Sequence, residues 1–553
     1  MTTATVTALA LSGSPAGANP TPPIPPGSPA AIKEPTAAGT QTRWGERTVA
    51  VGAKLGTDTV NSVWVADPFG TDGTKTEAGT VYAVKGSSLI TNSGGSQTPA
   101  TAIYTIHPPT PTVNQHFGFV VTNIGDVNGD NVPDLAIGED SQDTATPRTY
   151  NSAGHVYVYS GKLGNLLYTI NSPTGTIGER FGSRIGKAGD IYNTTSAGFV
   201  GTGSPAIVGD AKSEIIIGAS ASQDGTVNKG VGKAYIFNGD PGSYTVTPPA
   251  TTGAGNTPVR TLTNPGKGQV CSSTSSCGNF GLSVQGVGDT NGDGVPDQLV
   301  SAPTYNDTVG GHTSQGRMYI YDGKGGGLAT GTVLQTIDDP TPQQGAYFGF
   351  QDVTPNSPGD VNADNKNDVY GEGWLQDGAI GTGQGESWVF NGFTGAMLYT
   401  LNDPHATPSG SGRQFGWSMT ATTDGNSTTP ALLVGASPHK AANTDEDGGA
   451  YVFGSAPASP GSQPLLEDLP LPSYYQQTSA TDAGPNLGWT VAAPGSLDGS
   501  GYQTYLAGAP FWNNGTTVDE GLLFAFYHNA TTGYAPAYCP PLSTGAYDTT
   551  GTC

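Results

Sequence analysis

Short segments in which hydrophobic and polar residues alternate recur along the chain, and most of them begin at a glycine. Residues 79–86 read GTVYAVKG, residues 154–161 read GHVYVYSG and residues 316–323 read GRMYIYDG. Alternation with a period of two is typical of a β-strand, because successive side chains point to opposite faces of a sheet. Similar segments lie at 232–239, 385–392, 449–454 and 520–527. The pattern predicts an all-β protein.

A pair made of an aromatic residue or leucine followed by glycine opens each of seven units. After the pair comes an apolar run that ends in a small-residue turn, then the alternating strand, and often a fourth strand. Four short strands in each of seven units predict a seven-bladed β-propeller, because one blade cannot bury both of its faces alone. The pairs are Trp44-Gly45, Phe117-Gly118, Phe181-Gly182, Phe280-Gly281, Phe348-Gly349, Phe415-Gly416 and Leu487-Gly488.

Composition supports strands over helices. Glycine accounts for 84 of the 553 residues, and only 12% of the residues are charged. Glycine loses the most backbone entropy on folding, and β-branched threonine is stiff at χ1, so both are poor helix formers. Aromatic and β-branched residues nevertheless recur in regular clusters, which a disordered chain lacks. We therefore expect many short strands joined by polar, glycine-rich turns.

The charge balance excludes one class of partner. The chain carries 21 basic and 44 acidic residues, for a net charge of −23. A protein that binds nucleic acid needs a basic surface, so no nucleic acid is expected as a partner. No stretch approaches the roughly 20 apolar residues of a membrane-spanning helix, so no membrane span is expected either. Acidity is compatible with cation binding, which depends on where the acids lie.

Three regions follow from the distribution of residue types. Residues 1–40 are rich in proline, alanine and glycine, and they are interpreted as a tether or the remnant of a signal peptide. Residues 41–538 carry the seven units, and residues 539–553 form a C-terminal tail. The sequence leaves open how the ring closes, including whether the last blade takes a strand from residues 28–43.

The four cysteines form two local pairs, Cys271 with Cys277 and Cys539 with Cys553. Neither pair has the C-x-x-C spacing of a zinc site, and no histidine lies nearby in the sequence. We therefore predict two disulfides and, with them, an oxidising compartment. The first bridge would stiffen a contact loop or only brace a long connection.

Three acidic loops lie between the first and second strands of units two, four and five. They read GDVNGDNVPD at 125–134, GDTNGDGVPD at 288–297 and GDVNADNKND at 359–368. Oxygen-bearing side chains occupy loop positions 1, 3, 5 and 9, and position 7 offers a backbone carbonyl. The predicted ligands are Asp126, Asn128, Asp130, Val132 and Asp134; Asp289, Asn291, Asp293, Val295 and Asp297; and Asp360, Asn362, Asp364, Lys366 and Asp368.

These oxygen sets point to calcium. Calcium takes six to eight oxygen ligands in flexible geometry, whereas magnesium demands a tighter octahedron and retains water. Asp, Asn and Gly are also ordinary turn formers, but three matching loops at one place in the repeat exceed what turns alone require. The sequence therefore predicts three calcium sites.

Unit three interrupts the loop. Asp190 stands nine residues after Phe181, as Asp126 does after Phe117, and an insertion of about sixteen residues follows. Asp210 and Glu214 then match positions 5 and 9, so this loop retains fewer ligands and is a candidate fourth calcium site. Units one, six and seven keep only fragments (Asp58; Asp424 and Asn426; Asp498), and we expect those loops to stand without metal.

The order of these motifs resembles a known family. Phe-Gly, then Gly-Asp-x-Asn-Gly-Asp, then Gly-Ala-Pro or Gly-Ala-Ser is similar to the FG-GAP repeats of the integrin α-subunit N-terminal propeller and of related bacterial surface proteins. The likeness covers residues 44 to about 538 and is strongest in units two to five. It implies a seven-bladed ring with calcium in the loops of one face and ligand binding on the opposite, upper face.

Three functions are compatible with these observations. The first is a secreted or cell-surface adhesion module that binds a protein or glycan through its upper loops, where Tyr305, Trp374 and Trp512 could stack on sugars or pack between blades. The second is a structural component of the cell surface or of an extracellular filament that self-associates. The third is an extracellular lyase or hydrolase built on the propeller.

Catalytic motifs do not support the third function. The sequence contains no nucleophile elbow, His-Glu metal helix, phosphate-binding loop or dinucleotide-binding glycine pattern. Its seven histidines are scattered. We therefore assign no catalytic residue and favour a binding module, with the enzyme question open.

Overall fold

The computed structural model describes twenty-one stretches of the chain. Structural statements refer to these residues: 30–35, 43–90, 98–139, 153–193, 198–201, 209–222, 231–243, 256–266, 278–307, 310–324, 331–350, 357–377, 383–405, 414–423, 430–437, 448–454, 465–471, 484–497, 499–513, 519–529 and 533–534.

The chain forms the predicted seven-bladed β-propeller of four-stranded blades. Strand β1 (Ala30–Lys33) precedes the first blade. Blades 1 to 3 contain, in order, β2 (Arg47–Ala50), β3 (Val63–Asp67), β4 (Thr80–Val84) and β6 (Ala102–Ile106); β7 (Phe117–Gly125), β8 (Asp134–Glu139), β9 (His155–Tyr159) and β10 (Leu166–Asn171); and β11 (Phe181–Gly189), β14 (Glu214–Ala219), β15 (Lys233–Phe237) and β16 (Arg260–Thr263), with the hairpin β12 (Tyr192–Asn193) and β13 (Gly198–Phe199) inserted. The short β5 (Thr98–Pro99) precedes β6 in the chain but pairs parallel with β1 in the sheet of blade 7.

The remaining four blades follow the same plan. Blade 5 has three described strands, because residues 351–356 lie outside the described part of the chain. Blades 4 to 7 contain β17 (Val284–Gly288), β18 (Asp297–Ser301), β19 (Arg317–Tyr321) and β20 (Val333–Asp338); β21 (Val369–Gly373), β22 (Glu386–Phe390) and β23 (Met397–Leu401); β24 (Phe415–Thr423), β25 (Pro430–Ala436), β26 (Gly449–Gly454) and β27 (Leu465–Pro470); and β28 (Val491–Gly495), β29 (Thr504–Ala509) and β30 (Leu522–Phe526), with the hairpin β31 (His528–Asn529) and β32 (Gly533–Tyr534) after them.

Helices contribute almost nothing to the described residues, where only two short 3-10 turns occur, at Gly86–Leu89 and Pro241–Ser243. Within a blade, consecutive strands pair antiparallel. The connections between strands one and two and between strands three and four therefore lie at one end of the ring, which we call the lower end. The other connections lie at the upper end.

The aromatic residue of each aromatic-glycine pair is a core residue of its own blade. Phe117 is fully buried, and its ring centroid lies 5.6 Å from that of Tyr157 and 6.1 Å from that of Tyr159, both on the third strand. Phe280 makes the same contacts with Tyr319 and Tyr321 in blade 4. Tilted and edge-to-face ring packing at these separations is favourable beyond the burial of area. The aromatic residues of strand three therefore pair with the aromatic residue that opens the blade.

The same residue also joins its blade to the preceding one. The backbone N–H of Phe117 donates to the carbonyl of Ala78, and the N–H of Phe181 donates to the carbonyl of Ala153. The glycine that opens strand three of the preceding blade must be glycine, since a Cβ at Gly79 would lie 2.1 Å from the Phe117 carbonyl oxygen. Equivalent close approaches join Gly154 to Phe181, Gly232 to Phe280, Gly316 to Phe348, Gly385 to Phe415 and Gly448 to Leu487.

The ring closes through the N-terminal segment. β1 pairs antiparallel with β30, with Ala31 opposite Phe524 and Ile32 opposite Leu523, and so becomes the fourth strand of blade 7. Trp44 of blade 1 donates from its backbone N–H to Glu520 and from its indole N–H to Ile32, at 3.2 Å each. The propeller therefore begins near residue 30, inside the segment 1–40 that its composition assigns to a tether, because the last sheet needs a fourth strand to cover its edge.

Three carboxylates are buried where blades 7 and 1 meet. Asp67 is fully buried at the end of β3, Glu46 lies beside the Trp44-Gly45 pair, and Glu34 directly follows the closing strand and accepts a hydrogen bond from Tyr82. Burial raises the pKa of Asp67 well above its usual range, and the charges of Glu34 and Glu46 raise it further. The amides of Phe69 and Gly70 offset only part of this effect. The seam is therefore more stable with Asp67 neutral.

We predict that Asp67→Asn stabilises the protein at pH 7 by about 1–3 kcal/mol, since an amide needs no proton to remain neutral in this site. Because its pKa is raised in the folded state, Asp67 makes its full contribution to the stability of the wild-type protein below about pH 4. This contribution is lost as the pH rises through the pKa of Asp67 in the folded protein. Urea unfolding between pH 4 and pH 8 should show the difference between the two proteins growing with pH. The exposed Asp377→Asn is the control, and equal pH profiles for the wild type and Asp67→Asn would contradict the prediction.

Candidate metal centre

The three acidic loops occupy equivalent places at the lower end of blades 2, 4 and 5. In each loop the position-9 aspartate is the first residue of the second strand or directly precedes it, and it pairs with the glycine that precedes position 1. The pairs are Asp134 with Gly125, Asp297 with Gly288 and Asp368 with Gly359. Antiparallel pairing at this point closes the eight intervening residues into a compact loop, so the predicted ligands of each blade lie in one loop.

The position-9 carboxylate is buried and holds the loop backbone. In blade 2, Asp134 Oδ2 accepts from the N–H groups of Val127 and Asn128 at 2.9 and 3.1 Å, and Oδ1 accepts from Gly161 N–H at 3.0 Å. Asp297 and Asp368 accept equivalent bonds. Burial raises the pKa of all three aspartates to about 6, although the amides partly counteract it. An ionised carboxylate at this depth therefore gains from a nearby cation.

The carboxylate at position 1 collects the amides on the far side of the loop. Asp126 Oδ1 accepts from Gly129 and Asp130 N–H at 2.7 and 3.1 Å, while Oδ2 accepts from Asn131 N–H at 2.7 Å. Asp289 and Asp360 hold their loops in the same way. These bonds bend the backbone around the side chains of positions 1 to 5.

Positions 3 and 5 complete the loop. Asn128 Oδ1 accepts from Asp130 N–H at 2.9 Å, and Asp130 Oδ1 accepts from Val132 N–H at 3.0 Å. The other two loops contain the same two bonds. Asn291 and Asn362 accept from the N–H groups of Asp293 and Asp364. Asp293 and Asp364 in turn accept from the N–H groups of Val295 and Lys366. All fifteen predicted ligands of the three loops therefore lie in one repeated arrangement.

The carboxylates of this arrangement face backbone amides more than they face one another. Among the residues that the structure describes, no group of three or more His, Cys, Asp or Glu side chains converges closely enough to hold a metal ion. A carboxylate oxygen has two lone pairs, so an oxygen that accepts an amide N–H can still coordinate a cation. The loops fit an oxygen-binding cation by donor type and order, and their calcium sites stay a prediction.

The turn between strands three and four also contributes to each loop, and sequence reasoning did not identify it. Gly161 and Gly323 donate their N–H groups to Asp134 and Asp297. Neither glycine can carry a side chain, because a Cβ would lie 1.8 Å from the carbonyl oxygen of Pro133 or Pro296. The signal was the glycine that ends the alternating segments, as in GHVYVYSG and GRMYIYDG.

Blade 3 keeps the arrangement despite its insertion. Asp190 accepts from the N–H groups of Asp210 and Ala211 at 3.2 and 2.8 Å. Asp210 Oδ1 accepts from Lys212 N–H at 3.1 Å. Glu214 Oε2 accepts from the N–H groups of Ile191 and Tyr192 at 2.7 and 3.0 Å. These bonds match those of positions 1, 5 and 9 in the other loops. The hairpin of β12 and β13 emerges where position 3 would be. The structure therefore brings the three predicted residues together.

Blade 7 builds the same loop without carboxylates at positions 1, 5 and 9. Gly501 N–H donates to Ser496 Oγ at 3.0 Å, Tyr502 N–H to Ser500 Oγ at 3.1 Å, and Leu497 N–H to Thr504 Oγ1 at 3.1 Å. Blade 1 retains Asp58, which accepts from Gly86 N–H at 2.6 Å. The fragments Asp424, Asn426 and Asp498 lie outside the described residues.

Aromatic side chains gather at the upper end of blades 5, 6 and 7. The ring centroids of Trp374 and Trp417 are 5.1 Å apart, those of Trp417 and Trp489 are 4.8 Å apart, and those of Trp489 and Phe511 are 5.0 Å apart. Phe350 and Trp374 are only partly buried in this group. We call Phe350, Trp374, Trp417, Trp489 and Phe511 the upper aromatic cluster.

The other two aromatic residues predicted at upper loops lie in the core. Trp512 is 7% exposed and belongs to the core between blades 6 and 7. Tyr305 is 9% exposed, and its ring lies under the Arg317 guanidinium at 3.9 Å. Of the three residues that the sequence singled out, Trp374 is the one that remains partly open.

Several predictions fall on residues that the structure does not describe. All four cysteines, Cys271, Cys277, Cys539 and Cys553, lie outside the described residues, as do the first 29 residues and the tail at 539–553. Within the described residues, no helix has the length and apolar character needed to cross a membrane.

Comparison with known proteins identifies the repeat. Residues 117–159, which run from the first strand of blade 2 to the end of its third, match the family model of the FG-GAP repeat. A comparison with curated proteins finds no match. Among solved structures, the complex of KlAtg21 with the coiled-coil of AgAtg16 is similar at a TM-score of 0.36 and 10% identity, over 76% of this chain and 84% of that chain. A likeness this distant carries no functional argument.

We predict that Gly323→Ala destabilises the protein by about 3 kcal/mol or more, since its Cβ would overlap the Pro296 carbonyl and displace the amide bonded to Asp297. The matched control is Gly294→Ala in the acidic loop of the same blade, where φ is +84° and no atom lies within 4 Å of the new Cβ. That change should cost about 1–2 kcal/mol of left-handed strain. Chemical unfolding measures both, and equal losses would contradict the role of the turn.

Proposed function

We propose that this chain, a seven-bladed β-propeller of FG-GAP repeats, is an extracellular binding module. Calcium in the lower loops of blades 2, 4 and 5 braces the ring, and the upper end binds a protein or glycan. The metal in this proposal is structural, because its loops lie at the end of the blades opposite the upper aromatic cluster.

The comparison between loops of one chain is the observation that carries the calcium proposal. Blade 7 bonds three of its loop amides to the neutral hydroxyls of Ser496, Ser500 and Thr504. Hydrogen bonding alone therefore does not require charge at positions 1, 5 and 9. Blades 2, 4 and 5 nevertheless carry three carboxylates per loop, and one of them is fully buried. A bound cation explains this excess of negative charge.

Calcium suits these loops better than other metals. Every predicted ligand is a carboxylate, amide or backbone oxygen, which is the donor set of hard cations. The loops contain neither the cysteine nor the histidine that zinc or copper would favour. When bound, the cation would supply positive charge to the buried position-9 carboxylate, which would keep that carboxylate ionised and its amide bonds strong.

We predict that chelation of calcium lowers the thermal stability of the protein, because the ion binds the folded loops and not the unfolded chain. At a calcium concentration ten times the dissociation constant, each site contributes roughly 1.4 kcal/mol. Calorimetry with calcium and with chelator measures the loss.

The control replaces the acids of one loop by the residues of blade 7, as Asp289→Ser, Asp293→Ser and Asp297→Thr. This variant should keep the three amide bonds that the blade 7 residues make and lose about a third of the calcium-dependent stabilisation. Unchanged melting of the wild type in chelator would overturn the calcium proposal.

The upper aromatic cluster supports the assignment of the ligand to the upper end. Partly open aromatic rings provide a large contact area with little side-chain entropy to lose, and they suit both protein and carbohydrate ligands. The indole N–H groups of Trp374 and Trp417 have no hydrogen-bond partner in the structure. Both nitrogen atoms are buried, so the partly open faces of Phe350 and Trp374 are the part of the cluster that a ligand would contact.

We predict that a ligand found on arrays of glycans and extracellular proteins loses at least about tenfold in affinity with Trp374→Ala, the loss typical of an interface hot spot. Phe393→Ala is the matched control, because Phe393 is an exposed aromatic residue in a lower-end turn of the same blade. Surface plasmon resonance with both variants compares the two ends. Loss of binding with Phe393→Ala alone would assign the ligand to the lower end.

A further inference from the structure

Arg43 directly precedes the first strand pair of blade 1, and its side chain continues the upper aromatic cluster. Phe511, which belongs to the cluster, lies 5.0 Å from Trp489 between ring centroids. Arg43 Cζ is 4.8 Å from the centroid of Phe511 and 4.1 Å from that of Phe69, which follows the second strand of blade 1. The guanidinium therefore contacts one ring of blade 7 and one ring of blade 1, where cation–π attraction holds it.

The backbone of Arg43 is fixed at the joint that closes the ring. Its N–H donates to the carbonyl of Asp519 at 2.9 Å, and its carbonyl accepts the N–H of Glu46 at 3.0 Å. The side chain is thus anchored at its base by two hydrogen bonds and at its end by two rings. Such a side chain has little conformational entropy left to lose when a ligand binds.

The guanidinium of Arg43 makes no hydrogen bond within the part of the chain that the structure describes. Its ion pair with Asp519 leaves Nε 3.9 Å from Oδ2, beyond hydrogen-bond distance, and the Arg43 side chain is 28% exposed. Four other guanidinium groups donate to backbone carbonyls or to side chains, namely those of Arg47, Arg184, Arg260 and Arg317. Arg43 therefore offers a cation with unused donors at the upper end.

The two charged groups at this place select the chemistry of a ligand. The planar guanidinium of Arg43 matches a carboxylate, which it can bind through two parallel hydrogen bonds. The neighbouring carboxylate of Asp519 accepts hydrogen bonds and cannot donate them. A sugar acid fits both groups, because its carboxylate and a hydroxyl stand on neighbouring ring carbons. An Asp or Glu side chain of a protein has no such hydroxyl, so its charge would face Asp519 without compensation.

We infer that Arg43 and Asp519 form a subsite for an acidic sugar within a glycan bound at the upper end. The sugar carboxylate pairs with the Arg43 guanidinium, and the adjacent hydroxyl donates to Asp519. The inference rests on the proposed function of the upper end as a binding surface. It goes further by naming the glycan as the ligand and one of its sugars as anionic.

The net charge of the protein limits how acidic this glycan is. A chain with a net charge of −23 repels a polyanion at long range, although it does so less as salt increases. A mainly neutral glycan with one isolated acidic sugar avoids this repulsion. Its neutral part would contact the partly open rings of Phe350 and Trp374 at the other end of the upper aromatic cluster.

The test uses an array of paired oligosaccharides with the full chain. In each pair one member is neutral, and in the other a single glucose or galactose is oxidised to its uronic acid. Wild-type protein should bind the acidic member of a recognised pair at least about tenfold more tightly, and Arg43→Gln should bind both members alike. The preference should fall between about 0.05 and 0.5 M salt, because the subsite is partly exposed.

Arg317→Gln is the matched control. Arg317 also stacks on an aromatic ring at the upper end, that of Tyr305, but it donates to Asp338 and to the Tyr305 hydroxyl. A variant at this position loses the same charge and the same kind of ring contact. It should keep the preference of the wild type for the acidic member.

The outcomes separate this subsite from the proposed function. Glycan binding that Trp374→Ala weakens, but that shows no preference for the acidic member, overturns the subsite alone. Binding of neither glycans nor extracellular proteins overturns the proposed function itself. Acidic peptides bound through Arg43 in place of acidic glycans overturn the sugar assignment. If Arg43→Gln does not fold, the wild-type comparison decides, since equal affinities for the two members of every recognised pair overturn the subsite.

Discussion

The whole ring depends on one contact between neighbouring blades. The aromatic residue of each pair packs on the third strand of its own blade, and its backbone N–H is bonded to the blade before it, as in Phe117 with Ala78. The preceding strand opens with a glycine whose missing side chain permits this approach. The same joint unites blade 7 and blade 1, where a Cβ at Gly521 would lie 2.4 Å from the Trp44 carbonyl oxygen. Seven such joints close the ring, with Leu487 in the place of the aromatic residue in blade 7.

Closure also needs a strand from the far end of the chain. β1 contributes Ala31 and Ile32 to the core and covers the edge of β30. Glu34 then follows it into the seam, where it lies near Asp67 and Glu46. The stability of the ring therefore depends on seven contacts between blades and on one strand from the N-terminal segment. The buried acids at the seam make this stability depend on pH.

The lower loops show one hydrogen-bonding scheme with different amounts of charge. Blades 2, 4 and 5 use carboxylates, blade 3 uses a longer glutamate, and blade 7 uses hydroxyls. The backbone geometry is thus separable from the charge. The blade 7 loop forms its bonds with neutral hydroxyls, so the loop backbone does not need three carboxylates to fold. A bound cation would compensate the additional negative charge of blades 2, 4 and 5.

The sequence by itself determined the seven repeats, the strand order and the acidic loops, because each depends on contacts between residues close in the chain. It did not determine that residues 30–33 complete blade 7, since pairing of Ile32 with Leu523 joins residues almost five hundred positions apart. Nor did it identify the bonds of Gly161 to Asp134 or the contact of Arg43 with the rings of Phe69 and Phe511. Only the tertiary structure decides these features, because burial and the approach of distant backbone exist only once the ring has closed.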